Sequence, residues 1–150
     1  MASGTLYLFD TSILLHLVRG GPVGEHISTT YGLANVLRRP LVGIVSHGEL
    51  MAMAARRGWG DARTAALNAI LTSLVTLDLN DPAILEAYVA VDQAGLAATG
   101  GSRALSNNDM WIAATARAAG AVLLTSDKDF LHLDPSVCRV EYIDPRSARP

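Results

Sequence analysis

The chain has 150 residues and a formal net charge of −2, with half of its residues hydrophobic and 17% charged. That length points to one domain with room for a substantial core, and the charge balance lacks the strong basic excess common in nucleic-acid binders. A single cysteine, Cys138, excludes an internal disulfide and the usual zinc spacings.

Residues 5–9 form a short β-prone run that ends at Asp10. Thr11 and Ser12 then open an apolar helical pattern through Ile13, Leu14, Leu17 and Val18, which Arg19-Gly20-Gly21-Pro22 breaks. A second helix is predicted over about 23–37, with Ile27, Tyr31, Leu33, Ala34 and Leu37 as its apolar side and Pro40 closing it. Residues 41–45 read as the next strand, with Ser46 at its end. Ser46-His47-Gly48-Glu49 fits a capping box, in which the serine caps and the glutamate reaches back to the cap amide. That helix runs to about Arg57, where Gly58 or Gly60 stops it. Asp61 is the expected cap of another helix, with Ala66, Leu67, Ile70, Leu71 and Leu74 as its buried stripe.

Residues 75–77 form a short strand ending at Asp78. Asp81-Pro82 supplies an N-cap followed by proline at the first helical position, and Ile84, Leu85, Tyr88 and Val91 are expected to point inward. Residues 98–106 read as a flexible connection. Asn107 or Asn108 is the expected cap of the next helix, and Asp109 stands in its first turn, where the helix dipole favours negative charge. Gly120 ends that helix in a left-handed conformation. Residues 121–125 are an apolar run without alternation, as suits a strand buried on both faces, and Ser126 and Asp127 lie just past it. Residues 139–143 give a last strand before a loose tail over 144–150.

Strands alternating with helices imply a parallel sheet with right-handed crossovers and helices on both faces. No apolar segment reaches the roughly 18 residues needed to span a bilayer, and Met-Ala-Ser-Gly-Thr has no basic region before an apolar core. A cytoplasmic protein with no membrane association is expected. Eleven arginines stand against one lysine, Lys128. They are read either as solvated surface groups or as a rim of Arg38, Arg39, Arg56, Arg57 and Arg103 around an acidic site.

In a parallel sheet the strand C-termini share one edge, where ligand sites form. Asp10, Glu49 and Asp127 should therefore face one crevice. The geometry permits Asp109 to join them without demanding it. If the four meet, like charges at short range need compensation, and oxygen-only donors suit Mg²⁺ or Mn²⁺ rather than zinc. Such a site activates water for phosphodiester hydrolysis. Thr11, Ser12 and Ser126 are neighbouring hydroxyls able to hold waters or phosphate oxygens. Read one at a time, Glu49 is a capping glutamate, Asp109 a helix-start charge, and Asp127 and Asp129 turn residues. Asp10, closing an apolar strand, leans functional even alone. His47 is a crevice or surface group; His16, His26 and His132 lack partners at metal spacing; Trp59 and Trp111 are packing residues.

Four segments together carry a resemblance: Leu-Phe-Asp10-Thr-Ser-Ile-Leu-Leu, Val-Ser-His-Gly-Glu49-Leu, Asn-Asp109-Met-Trp-Ile-Ala-Ala-Thr-Ala and Leu-Leu-Thr-Ser-Asp127-Lys-Asp129-Phe. In order and spacing they resemble the motifs of PIN-domain ribonucleases, and with the chain length they resemble the VapC toxins of toxin–antitoxin pairs. The resemblance implies an α/β fold, a single PIN-like domain over 1–150 with its core at about 6–143 and a central parallel sheet flanked by helices. It implies a Mg²⁺- or Mn²⁺-dependent endoribonuclease acting on structured RNA of the transfer or ribosomal class, a homodimer, and inhibition by a cognate antitoxin. The family's catalytic and metal-binding acids carry over to Asp10, Glu49, Asp109 and Asp127. Asp129 matches a further acid that only some members use. Ser12 stands where many members have Asn.

Other readings are a PIN nuclease of RNA processing with no toxin role, and a non-catalytic PIN-like module that binds RNA or protein. Dehalogenase-type phosphatases want a second Asp where Ser12 stands. Receiver domains want an acidic pair near the first strand's end, and no such pair precedes Asp10. Dinucleotide-binding folds want a glycine-rich turn where Asp-Thr-Ser stands.

Overall fold

The computed structural model describes residues 4–33, 38–99 and 105–146. Five parallel strands form one sheet: β1 (Tyr7–Phe9), β2 (Leu41–Gly43), β3 (Val75–Leu77), β4 (Val122–Thr125) and β5 (Val140–Tyr142), in the order β3-β2-β1-β4-β5. Among the described residues six α-helices connect the strands: α1 (Thr11–Arg19), α2 (Pro22–Thr30), α3 (Ile44–Arg57), α4 (Asp61–Thr72), α5 (Pro82–Thr99) and α6 (Asn107–Ala119). A 3-10 helix (Lys128–Leu133) links β4 to β5. The α/β architecture with an all-parallel sheet is the one the sequence predicts.

Side chains on successive strand residues point to opposite faces, and the core divides accordingly. Leu8, Leu41 and Leu123 stand in register on one face and pack with Ile84 and Val91 of α5 and Ile112 of α6. Tyr7, Phe9, Val42, Val122 and Leu124 face the other way, onto Ile13 and Leu14 of α1, Ile27 of α2, Leu50 of α3 and Leu67 and Leu71 of α4. The α1–α2 crossing is close: a Cβ added at Gly24 would lie 2.5 Å from the His16 carbonyl oxygen, so only glycine fits.

The strand order places the future site. The chain moves outward from β1 to β2 to β3, then returns to lay β4 on the other side of β1. The connections diverge between β1 and β4, which opens a crevice at their C-terminal ends. Asp10 follows β1 and Asp127 follows β4 at that point.

Several expected boundaries move. The helix expected over 23–37 ends at Thr30, with Tyr31 at its C-cap, and its predicted residues Ala34 and Leu37 lie outside the described residues. So does Arg103, within the connection expected at 98–106, while α5 itself extends to Thr99. The tail is described only to Arg146.

The strand expected over 41–45 stops at Gly43, which is the N-cap of α3, so Ser46 lies inside the helix and no capping box forms. Gly60, not Asp61, occupies the cap position of α4. Ser106, not Asn107 or Asn108, caps α6: its Oγ accepts from the Asp109 N–H at 3.2 Å. On α5, Leu85 turns out to solvent and Ala87 takes the buried position beside Ile84 and Val91. Gly20 and Gly120 adopt the left-handed conformation that stops α1 and α6.

Candidate functional site

Asp10 is the most enclosed of the four predicted acids, 3% exposed, and it caps α1. Its Oδ1 accepts from the Thr11 N–H at 2.7 Å. Its Oδ2 accepts from the Ser12 and Thr125 hydroxyls, both at 2.8 Å. Burial pushes this carboxyl above the usual range. The hydroxyl and backbone donors pull the other way, and nearby Asp127 adds to the rise.

Two hydroxyls tie β1's exit to β4's. Thr125, fully buried, donates to Asp10 and accepts from the Asp127 N–H at 2.9 Å. Ser12 donates to Asp10 and accepts from the Ser126 N–H at 3.1 Å. Asp127 then caps the 3-10 helix, its Oδ1 accepting from the Asp129 N–H at 2.9 Å. Strand pairing and side-chain bonding therefore fix Asp10 and Asp127 as one unit. Thr125 was not singled out from sequence. A threonine closing an apolar run immediately before Ser-Asp was the available signal. His16, which the sequence leaves without partners at metal spacing, has its Nε2 3.3 Å from Ser126 Oγ.

Glu49 and Asp109 reach the crevice from helices. Thr11 Oγ lies 2.9 Å from Glu49 Oε1 and 2.9 Å from Ser46 Oγ, and its one proton serves the carboxylate, which can only accept. Glu49 is thus turned to α1 rather than back to the start of its own helix. Asp109 is half-buried in the first turn of α6. Its carboxyl is pushed up to about 6, by burial first and then by Asp10, Asp127 and Glu49, against the opposing pull of Ser106. All four predicted acids thus share one electrostatic neighbourhood. Asp129 is exposed and is not among the carboxylates that shift Asp10 or Asp109.

The electrostatics are one-sided. Among the described residues no lysine or arginine forms an ion pair with Asp10, Glu49, Asp109 or Asp127. Nor do three or more acids, histidines or cysteines among those residues converge closely enough to encircle an ion as they stand. The crevice collects negative charge in a partly desolvated place, met by hydroxyl and backbone donors but by no cationic side chain among the described residues. His47, half-buried beside Ser46, has an Nδ1 with no hydrogen-bond partner. Among the described residues, no helix is long and apolar enough to cross a membrane.

The family model described as PIN domain matches residues 7–135. The chain is similar in fold to the crystal structure of VapBC2 from Rickettsia felis bound to a DNA fragment from their promoter. That match has 18% identity and a TM-score of 0.74, over 93% of this chain and 100% of that one. VapBC-1 from nontypeable Haemophilus influenzae matches with 23% identity and a TM-score of 0.72, over 92% and 98%. VapBC-5 from Mycobacterium tuberculosis, a member of the VapBC family of toxin–antitoxin systems, matches with 23% identity and a TM-score of 0.64, over 93% and 99%. No curated protein matches the sequence.

Proposed function

The chain belongs to the PIN domain family, and on that premise we propose that it is a divalent-metal-dependent endoribonuclease of the VapC toxin type, with Asp10, Glu49, Asp109 and Asp127 as its acidic centre. One observation carries the reading: four carboxylates share a crevice with no cationic partner among the described residues, and Asp109 is pushed up to about 6 by burial first and by the other three acids after it. A cluster of this kind is costly unless a cation compensates it.

The donor set fits Mg²⁺ or Mn²⁺ in chemistry, since every candidate donor is a hard oxygen. Its spacing is open, so side-chain rotation of the helix-borne acids would complete the set. Asp10, Asp109 and Asp127 would hold the ion, with Glu49 as ligand or water-orienting base and Asp129 outside. When bound, the ion would neutralise the crevice, activate water and stabilise a phosphodiester's developing charge. The chain's own residues do the positioning. Thr125 and Ser12 hold the buried Asp10 carboxylate in one rotamer. Thr125 also holds the backbone of Asp127, and Thr11 aims Glu49. Ser126 lies at the crevice rim, where its hydroxyl can meet a phosphate oxygen.

The substrate in this reading is structured RNA of the transfer or ribosomal class, cut in the cytoplasm. The partner is a cognate antitoxin, a role supported by the fold's likeness to VapBC complexes. Leu85, Val89 and Leu96 form an exposed apolar line on α5 that suits association with a second copy.

The test is RNA cleavage by purified protein with Mg²⁺, Mn²⁺ or chelator, run beside Asp10→Asn. Cleavage that needs metal and disappears in the variant supports the proposal. Metal-independent cleavage, or cleavage unchanged in Asp10→Asn, overturns it. Metal binding and cleavage both absent would leave a non-catalytic binding module.

A further inference from the structure

At the opposite edge of the sheet, the N-terminal ends of β1, β4 and β5 meet the C-terminal end of α6. A cavity of about 580 Å³ opens there, and Arg38, Arg117 and Arg139 all line it, with Gly4, Gly120 and Cys138 among the other walls. Among the described residues no acid lines it. The chain carries a net charge of −2, so three guanidinium groups in one concavity are a local reversal of its balance.

Two of these arginines are anchored by the backbone. Arg117 Nη1 donates to the Val137 carbonyl at 2.6 Å and lies 3.4 Å from the Ser136 carbonyl. Arg38 Nη1 donates to the Gly4 carbonyl at 2.7 Å. A guanidinium has five N–H donors in a planar fork, so these bonds fix the groups and leave further donors for a ligand. The Arg139 carbonyl accepts from the Leu123 N–H, but its side chain makes no hydrogen bond or ion pair among the described residues. Of the carboxylates nearby in sequence, Asp134 accepts from the Val140 N–H at 2.8 Å while its charge reaches the wall residue Cys138, and Glu141 takes the Tyr31 hydroxyl. Two of the terminal carbonyls of α6, those of Ala116 and Arg117, are occupied by the Ala121 and Gly120 N–H groups. The cavity therefore offers fixed donors and three positive charges, with no acidic side chain among its described lining residues.

We propose that this cavity is a phosphate-binding site, with Arg38, Arg117 and Arg139 as its donors. Planar guanidinium forks match phosphate oxygens in pairs, and the volume lies within the range of small-ligand sites. The phosphate comes from one of two sources, a free nucleotide or the backbone of an RNA. Along β1 the residues from Leu6 to Asp10 span about 13 Å, so an RNA engaging both edges would extend over several nucleotides. The site does not depend on the nuclease reading, because neither metal nor cleavage enters it.

The experiment is calorimetric titration of the full chain in chelator, first with tripolyphosphate and then with a short RNA. Wild type is compared with Arg139→Ala and with Arg63→Ala, an exposed arginine elsewhere on the surface. Circular dichroism verifies that each variant is folded. Tripolyphosphate should bind wild type and Arg63→Ala alike and bind Arg139→Ala about tenfold more weakly, as expected for the loss of a charge-assisted contact. If the RNA is weakened in parallel, the backbone is the source; if only tripolyphosphate is weakened, a free nucleotide is. No tripolyphosphate binding by wild type, or an equal loss in Arg63→Ala, overturns the proposal.

Discussion

The acidic crevice has two halves built on different terms. Asp10 and Asp127 leave adjacent strands and are held by Ser12, Thr125 and the 3-10 helix cap, so their positions follow from sheet pairing. Glu49 and Asp109 come in on helices. Glu49 is steadied by one hydroxyl from α1, and Asp109 by the Ser106 hydroxyl, which meets its backbone N–H and its carboxyl. The strand-borne half is preorganised by bonds that need no ion. The helix-borne half carries the charge that remains unsatisfied. An ion entering the crevice would therefore meet a rigid floor and draw the walls inward.

The largest break in that comparison removes the floor. Asp10→Asn keeps the size of the side chain but takes away its charge, and in the nuclease reading it lowers cleavage by more than about 100-fold, since several kcal/mol of charge stabilisation disappear. The corresponding change on the wall, Glu49→Gln, should cost less, because Glu49 has the looser hold. Cleavage rates at saturating metal order the two; a larger loss for Glu49→Gln would reverse the assignment of floor and wall.

Thr125→Val acts on the floor without touching a carboxylate. It removes the buried hydroxyl shared by Asp10 and the Asp127 N–H and leaves both short of a partner. Stability should fall by about 1–3 kcal/mol in urea unfolding, and metal affinity by about 10–100-fold in calorimetry. Thr11→Val, the matching change on the wall, should lower metal affinity by about tenfold or less and leave Asp10 in place. Equal losses in the two variants would erase the distinction between the halves.

The sequence made the floor legible and the walls less so, and the reasons are physical. An Asp that follows an apolar strand in an alternating α/β pattern is positioned by sheet geometry, and the short unbroken apolar run ahead of it reports that strand directly. The start of α3 was misplaced because Ser46 and Glu49 have capping-box spacing, whereas both side chains are claimed by Thr11, 35 or more residues earlier. Local spacing cannot report a tertiary partner. The cap of α6 was missed by one residue because Ser106, Asn107 and Asn108 are all competent caps in a row. Leu85 was placed inward because α5 carries apolar residues on several faces, so its period is ambiguous. The 3-10 helix after Asp127 is too short to leave a periodic signal.

The smallest expected effect tests the walls by pH alone. In the metal-free protein Asp109 is raised to about 6, above the ordinary aspartate value it regains on unfolding. Between about 4 and 6 the folded state therefore holds more protons than the unfolded state. The contribution is present at low pH and is lost as pH rises through the window. Buried Asp10 is raised too and acts in the same direction. Thermal unfolding in chelator should accordingly give a midpoint about 1–3 °C higher at pH 5 than at pH 7, modest because the exposed part of Asp109 is screened by solvent. Adding Mg²⁺ at pH 7 should recover the difference, and Asp109→Asn should remove most of it. A midpoint that instead falls between pH 7 and pH 5, in wild type and Asp109→Asn alike, would mean that the walls carry no unsatisfied charge for a cation to compensate.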